Sequence, residues 1–437
     1  MSDNALHPDE ALSIVIACAP ASATERVSLA ESLGRAMPVE AFCFLDQPPF
    51  DKSAMDGFAY AAAHEVAHRV SGDAPAGSSG GGRDSTGADG GAGKGAAGGT
   101  LYRVVGATAA GEAAAPRLGA GEAVRIMTGA PLPAGASRVQ RVEWTRDGGS
   151  DAAGRSLVLF TRPESVSNVI ARGENLRSGD RLLGPRLLGP QDLGILASSG
   201  YSEVEVAKRP LVGIVSTGDE IVAAGAALGP AAIYDSNGPQ LAAQAMAAGG
   251  DARFYGVFPD DEGVLREALS RALDECDIVL VSGGVSMGDF DFVPRVLESL
   301  GVKPRFHGLA MRPGKPTFFG MRGSTAAFGL PGNPVSTFVN FEILVRPHLA
   351  ARLGLAWKPR ILRARLAEDL VRRASDRVEF LPAALELAFE GLLARPLNYH
   401  GSSMLSVLSD AEALLRMELG VERIQAGEVV DVRLVRA

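Results

Sequence analysis

Apolar residues recur at helical spacing in some stretches of this chain and alternate with polar ones in others. Residues 9–36 read as helix up to a turn at Gly34, followed by extended chain from Pro38 to Phe44. From Asp56 the pattern shortens. Runs at 56–60, 102–105, 123–127 and 138–144 predict a small β-rich domain. From Arg209 strands and helices alternate, with strands at 211–216, 253–258 and 278–281 and helices at 237–248 and 262–273. In the second of these helices Val264, Leu265, Ala268, Leu269 and Ala272 recur on one face. This rhythm predicts a parallel sheet covered by helices on both faces. Asn333 as N-cap and Pro334 at the first position predict a long helix to Leu349. After Lys358, extended runs at 361–366, 378–383, 392–396, 413–418 and 428–434 predict a small C-terminal β-domain.

Composition changes that picture in one place. Residues 72–99 are almost entirely Gly, Ala, Ser, Thr and Asp, too polar to offset the entropy of ordering, so they predict a flexible insertion in a loop. The full 437 residues imply two to four domains. A net charge of −8 argues against a general nucleic-acid binder but leaves room for a local basic pocket. Cys18, Cys43 and Cys276 are too few and scattered for a disulfide framework, which points to a reducing compartment. The first ten residues carry Asp3, Asp9 and Glu10 rather than a basic leader, and the apolar run 13–21 is too short to span a membrane. A cytoplasmic protein that binds neither membrane nor nucleic acid is expected.

Two motif matches fail on context. His64 and His68 fit the H-E-x-x-H zinc helix, but they run straight into the Gly-rich insertion and no third ligand stands out. Residues 93–98 fit G-x-G-x-x-G, but no strand precedes them. Better candidates lie at strand ends of the middle domain, where open α/β sheets bind ligands. Ser216, Thr217, Gly218, Asp219 and Glu220 follow one strand; Ser282, Gly283, Gly284 and Ser286 follow another. The glycines let backbone N–H groups approach an anion, while Asp219, Glu220, Asp289 and Asp291 suit a hard divalent cation. Each taken alone also reads as an ordinary strand-to-helix turn. In Met311-Arg312-Pro313-Gly314-Lys315-Pro316 the prolines stiffen a turn that presents two cations. The string from Leu330 to Ser336 feeds a helix N-terminus, which attracts anions. Loop rigidity is the alternative reading of both.

Taken in order, these strings resemble the molybdenum insertases, which include bacterial molybdopterin molybdenumtransferases and the C-terminal domain of gephyrin. The resemblance is carried by Ser53-Ala54-Met55-Asp56-Gly57-Phe58-Ala59, Arg125-Ile126-Met127-Thr128-Gly129-Ala130-Pro131, Arg172-Gly173-Glu174-Asn175 and the strings above. It runs from about residue 10 to the C-terminus, without the insertion. It implies insertion of molybdate into adenylylated molybdopterin, with Mg²⁺ and release of AMP. By the same resemblance Asp56, Thr128, Glu220, Asp260 and Asp291 are catalytic, the last three as metal ligands. Arg312, Lys315, Pro331, Pro334, Ser336, Arg377 and Ser402 bind the substrates. It further implies a homodimer in which Asp56 and Thr128 act across the interface, and a molybdopterin adenylyltransferase as the supplier of substrate. Many members carry lysine where this chain has Gly308 and where it has Arg312.

Pattern and resemblance together give an α/β and β multidomain chain with four parts. A central three-layer α/β domain with a mostly parallel sheet spans 208–352. A small inserted β-rich domain spans 46–144, with the 72–99 insertion inside it. An elongated N-terminal linking domain is made of 1–45 and 145–207, and a C-terminal β-barrel-like domain spans 353–437. Other readings are a pterin-binding scaffold that has lost turnover, a tungstate-directed insertase, and a zinc protease using His64 and His68.

Overall fold

The computed structural model describes residues 5–62, 99–113, 117–285, 292–372, 376–389, 391–398 and 401–436. His64, His68, the body of the Gly-rich insertion, Ser286, Asp289 and Asp291 lie outside these residues. The chain forms two compact units. One comprises Met1–Glu40, Gly184–Ala197 and Tyr201–Ala437; the other comprises Ala41–Leu183 and Ser198–Gly200.

The first unit is built on a six-stranded sheet. Its strands are β1 (Leu211–Thr217), β2 (Asp251–Phe258), β3 (Ile278–Ser282), β4 (Lys303–His307), β5 (Phe318–Arg322) and β6 (Thr325–Leu330), in the order β2-β1-β3-β6-β5-β4. The first four in that order are parallel, and β5 runs antiparallel to both of its neighbours. The inner strands β1, β3 and β6 are apolar on both faces, and their period of two divides them between two cores. Val212, Ile214, Ile278 and Leu280 pack with Leu241 and Ala245 of helix α1 (Asn237–Ala247). Val215, Val279 and Val281 pack with Leu269, Ala272 and Leu273 of helix α2 (Glu262–Glu275). This is the expected three-layer domain, with one correction. Val264 is 40% exposed, because the buried stripe of α2 starts at Leu265 and Val264 falls on its edge.

Two helical expectations need revision. The 9–36 pattern is α-helical only over Pro8–Ala17, capped at Cys18, with a short 3₁₀ turn at Leu29–Ser32. Pro20 cannot continue a helix, and residues Thr24–Ser28 pair instead with Glu203–Ala207. Ala11 and Val15 of the short helix still enter the α1-side core. The run after Asn333 is helical through Arg352, but in three pieces: Pro334–Asn340, a wider π-helical turn over Phe341–Val345, and Arg346–Arg352. Pro347 lacks the N–H an α ladder needs there, and the wider turn accommodates it.

The five expected C-terminal strands form a closed barrel. Their order is Val378–Ala388, Gly391–Pro396, Ile361–Leu366, Val429–Leu434 and Ala413–Met417, and the last pairs back to the first. Closure leaves no free sheet edge.

The second unit carries a six-stranded sheet in the order Arg138–Arg141, Gly57–Tyr60, Glu122–Ile126, Thr100–Thr108, Ser156–Phe160, Thr145–Ser150. It continues past residue 144, the boundary suggested by the sequence pattern, because Thr145–Ser150 and Ser156–Phe160 form a hairpin. Its core stacks Tyr102 on Phe160 at 4.4 Å, with Tyr60 edge-on to Phe160 at 5.1 Å.

Candidate functional site

At the carboxyl ends of the parallel strands, the side chains are tied to one another. Ser216 Oγ, at the end of β1, donates to Asp235 Oδ2 (3.0 Å), and Asp235 Oδ1 accepts the Gly238 N–H (3.0 Å). Thr217 Oγ1 donates to Asp260 Oδ1 (2.6 Å), and Asp219 Oδ1 accepts the Asp260 N–H (3.0 Å). Asp219 therefore braces the loop after β2. At the end of β3, Asn237 Nδ2 donates to Ser282 Oγ and to the Gly332 carbonyl, both at 2.7 Å. Gly283 has φ +101°, and a Cβ there would lie 2.3 Å from the Thr217 carbonyl oxygen, so the two strand-end loops meet only because this residue is glycine.

These groups surround a cavity of about 640 Å³. Ser216, Thr217, Gly218, Glu220, Asp260, Ser282, Gly283, Gly284, Pro331 and Pro334 of the expected set line it. It carries the carboxylates of Glu220, Asp235 and Asp260, and no Lys or Arg among its described lining residues. Among the described residues no three His, Cys, Asp or Glu side chains cluster to hold a metal ion.

A second cavity, of about 790 Å³, adjoins the first and shares Pro316, Pro331 and Asn333 with it. Arg312, Lys315, Ser336, Arg377 and Ser402 line this one. Four local features aim them. Residues Met311–Arg312 pair in parallel with Val378 and Glu379, which sets Arg312 3.4 Å from the buried Glu379 carboxylate. Arg372 lies 3.6 Å from the other oxygen of Glu379 and donates to the Arg377 carbonyl at 2.8 Å. Gly314 (φ +111°) carries the turn that presents Lys315 past Asn340; a Cβ there would stand 2.1 Å from Asn340 Nδ2. Ser402 accepts from Asn333 Nδ2 at its hydroxyl (2.9 Å) and from the Val335 N–H at its carbonyl (3.0 Å). Arg377 Nε is buried without an aligned hydrogen-bond partner, although Asp376 Oδ2 lies 3.4 Å away. Gly308 sits at φ +96°, a backbone conformation that disfavours any side chain, lysine included.

In the second unit Asp56 and Thr128 come together. The Asp56 carboxylate accepts the Thr128 N–H (2.7 Å) and hydroxyl (2.8 Å). These bonds, the backbone one foremost, hold its carboxyl below the ordinary aspartate range.

Sequence reasoning missed Asp235, Asn237 and Glu379, and took Asn333 as a helix cap within the string from Leu330 to Ser336. The string Asp235-Ser236-Asn237 ahead of α1 was available as a signal, since three polar residues at a helix start in such a sheet face the ligand edge. Nothing local marks Glu379, which is identified by its pairing across to Arg312.

Comparison with known proteins agrees with this arrangement. Residues 6–200 match the MoeA N-terminal region (domain I and II), 213–351 a probable molybdopterin binding domain, and 363–435 the MoeA C-terminal region (domain IV). A molybdopterin molybdenumtransferase of Bacillus subtilis is 32% identical over 98% of this chain and 94% of its own. One from Staphylococcus epidermidis is 30% identical over 94% and 91%. The solved molybdopterin biosynthesis moea protein of Pyrococcus horikosii superposes with a TM-score of 0.80 at 31% identity, covering 99% of this chain and 100% of that one.

Proposed function

This chain belongs to the molybdopterin molybdenumtransferase family, and on that premise we propose that it takes adenylylated molybdopterin and molybdate, releases AMP and yields the molybdenum cofactor. Its place in molybdenum cofactor biosynthesis is the insertion of molybdenum. The observation that carries the finer reading is the pair of adjoining cavities with opposite chemistry. The cationic one suits a tetrahedral dianion, for which Arg312, Lys315, Arg377 and Ser402 offer several fixed donors. The acceptor-rich one, with glycines and carboxylates, suits a nucleotide-like ligand.

Glu220 and Asp260 line the acceptor-rich cavity as hard oxygen donors of the kind Mg²⁺ takes, and Asp291 completes the proposed set. A bound Mg²⁺ supplies charge neutralisation at the phosphoanhydride. The chain's own part is to orient. Thr217 fixes the Asp260 carboxylate, Asp219 fixes its backbone, and the Lys315 turn holds its ammonium without a large ordering cost. The reading includes a cytoplasmic homodimer whose substrate comes from a molybdopterin adenylyltransferase. No helix among the described residues is long and apolar enough to cross a membrane.

The test is AMP release from adenylylated molybdopterin with molybdate and Mg²⁺. Asp260→Asn is expected to remove most of the release while leaving the melting temperature nearly unchanged. Full release by that variant overturns the metal assignment, and no release by the wild type overturns the function.

A further inference from the structure

Asn237 opens helix α1 at the floor of the acceptor-rich cavity and is 8% exposed. Its amide orientation is fixed by chemistry. The Gly332 carbonyl 2.7 Å away can only accept, so the atom facing it is the NH₂ group. The second NH₂ hydrogen goes to Ser282 Oγ. That leaves Oδ1, which is buried and has no hydrogen-bond partner among the described residues. A buried amide oxygen without a partner costs free energy that a bound donor recovers. Ser282 Oγ already accepts from Asn237, so its own proton is free to be donated beside that oxygen. The lining thus holds an unsatisfied acceptor and a donor side by side.

Part of the cavity wall is apolar and aromatic: Ile221, Ile233, Tyr234 and Leu405 line it. Ile233 and Tyr234 are about half exposed, presenting surface on which a flat ring can lie. A cavity with this wall, three carboxylates and no described lining cation is poorly suited to a bare phosphate and well suited to a heterocycle with N–H donors on its edge.

We propose that Asn237 is a specificity-determining residue whose side-chain carbonyl accepts a hydrogen bond from an amine-bearing heterocycle of the substrate. The assignment rests on the adenylylated pterin reading above, and that substrate offers two such rings. Adenine carries its amine on the six-membered ring, and so does the pterin. Asn237 reads one of them against deaminated or amine-free analogues.

The experiment compares two analogue pairs in competition against adenylylated molybdopterin on the full chain. The first pair is AMP and purine riboside 5′-monophosphate, which lacks the amine. The second is a pterin and the corresponding lumazine, where a carbonyl replaces it. The wild type is expected to prefer the amine in one pair by about ten- to a hundredfold, since a site built for a donor rejects the analogue lacking it. Discrimination in the first pair assigns Asn237 to adenine, and in the second to the pterin. Asn237→Ala is expected to abolish that preference while both members of the pair still bind. Asn237→Ser, which keeps a hydroxyl toward Gly332, serves if the alanine variant does not fold. No discrimination in either pair, or undiminished discrimination in the folded variant, overturns the assignment. Wild-type AMP release, measured in the same preparation, separates the two failures. Release without discrimination overturns the role of Asn237 alone, and absence of release overturns the function and this role with it.

Discussion

Arg312 and Arg377 line the same cavity, yet their charges are committed differently. Arg312 faces the Glu379 carboxylate, which also faces Arg372, so part of its field is spent inside the protein. Among the described residues, Arg377 has the exposed Asp376 alone near its Nε, and Arg372 holds its backbone in place through the carbonyl. A dianion in this cavity therefore draws more on Arg377 and Lys315 than on Arg312. Losing one charge-assisted hydrogen bond costs about 1.5–3 kcal/mol, or roughly ten- to a hundredfold in affinity. Arg377→Ala is expected to raise the half-saturating molybdate concentration by that factor at fixed adenylylated molybdopterin, with affinity for the pterin nearly intact. A titration in which pterin affinity collapses and molybdate dependence stays put would move Arg377 to the pterin site.

At the scale of elements, His348 ties the N-terminal helix to the last helix of the α/β domain. It is fully buried, its Nδ1 lies 2.7 Å from the Val15 carbonyl, and Phe319 and Phe328 meet its ring edge-on. A carbonyl only accepts, so Nδ1 carries the proton and Nε2 is bare. Burial holds the ring down at about 4, and the nearby Arg352 works in the same direction against the Val15 bond. In the unfolded chain the ring titrates near 6.5. Between those values the unfolded chain binds a proton that the folded chain refuses. Stability therefore falls as pH drops from about 6.5 to about 4, by about 3 kcal/mol from this residue. His348→Gln is expected to be less stable at neutral pH but to lose this part of the acid dependence. Denaturant melts of both proteins across that range check it, and equal pH slopes would refute it.

Elements differ in how far the sequence disclosed them. Strands such as β3, apolar from Ile278 to Val281 and followed by Ser282 and two glycines, were legible because burial on both faces leaves no other pattern. The barrel strands were legible from alternation. The early end of the N-terminal helix was not, because Leu29 and Leu33 stand at helical spacing although the strand Thr24–Ser28 is followed only by a 3₁₀ turn. In the site, the glycine and cation strings were visible as local signals. Glu379 was not, since its role arises from an ion pair with Arg312, far away along the chain, and the string Asp235-Ser236-Asn237 marked a polar helix start without disclosing the bond from Asn237 to Gly332.

At the scale of the whole molecule, the proposed homodimer has a consequence that numbers decide. Asp56 and Thr128 belong to one compact unit, and the two cavities belong to the other. If the Asp56–Thr128 pair serves the partner subunit, each active site draws Lys315 from one chain and Asp56 from the other. Mixing Asp56→Asn with Lys315→Ala then produces heterodimers in which one site has both residues intact and the other has neither. Random reassociation of equal amounts makes about half the dimers heterodimeric, so AMP release should recover to about a quarter of the wild-type rate by the two-fold symmetry of the assembly. If Asp56 served its own chain, no site in any dimer would hold both residues, and the mixture would be as inactive as either variant alone. The Asp56 variant also removes the carboxylate that binds the Thr128 N–H, so its melting temperature must be measured beside the activity. Recovery in the mixture excludes misfolding as the cause of its inactivity, because a chain that had lost its fold would supply no intact Lys315 cavity. A mixture that exchanges subunits and stays inactive overturns the cross-subunit site.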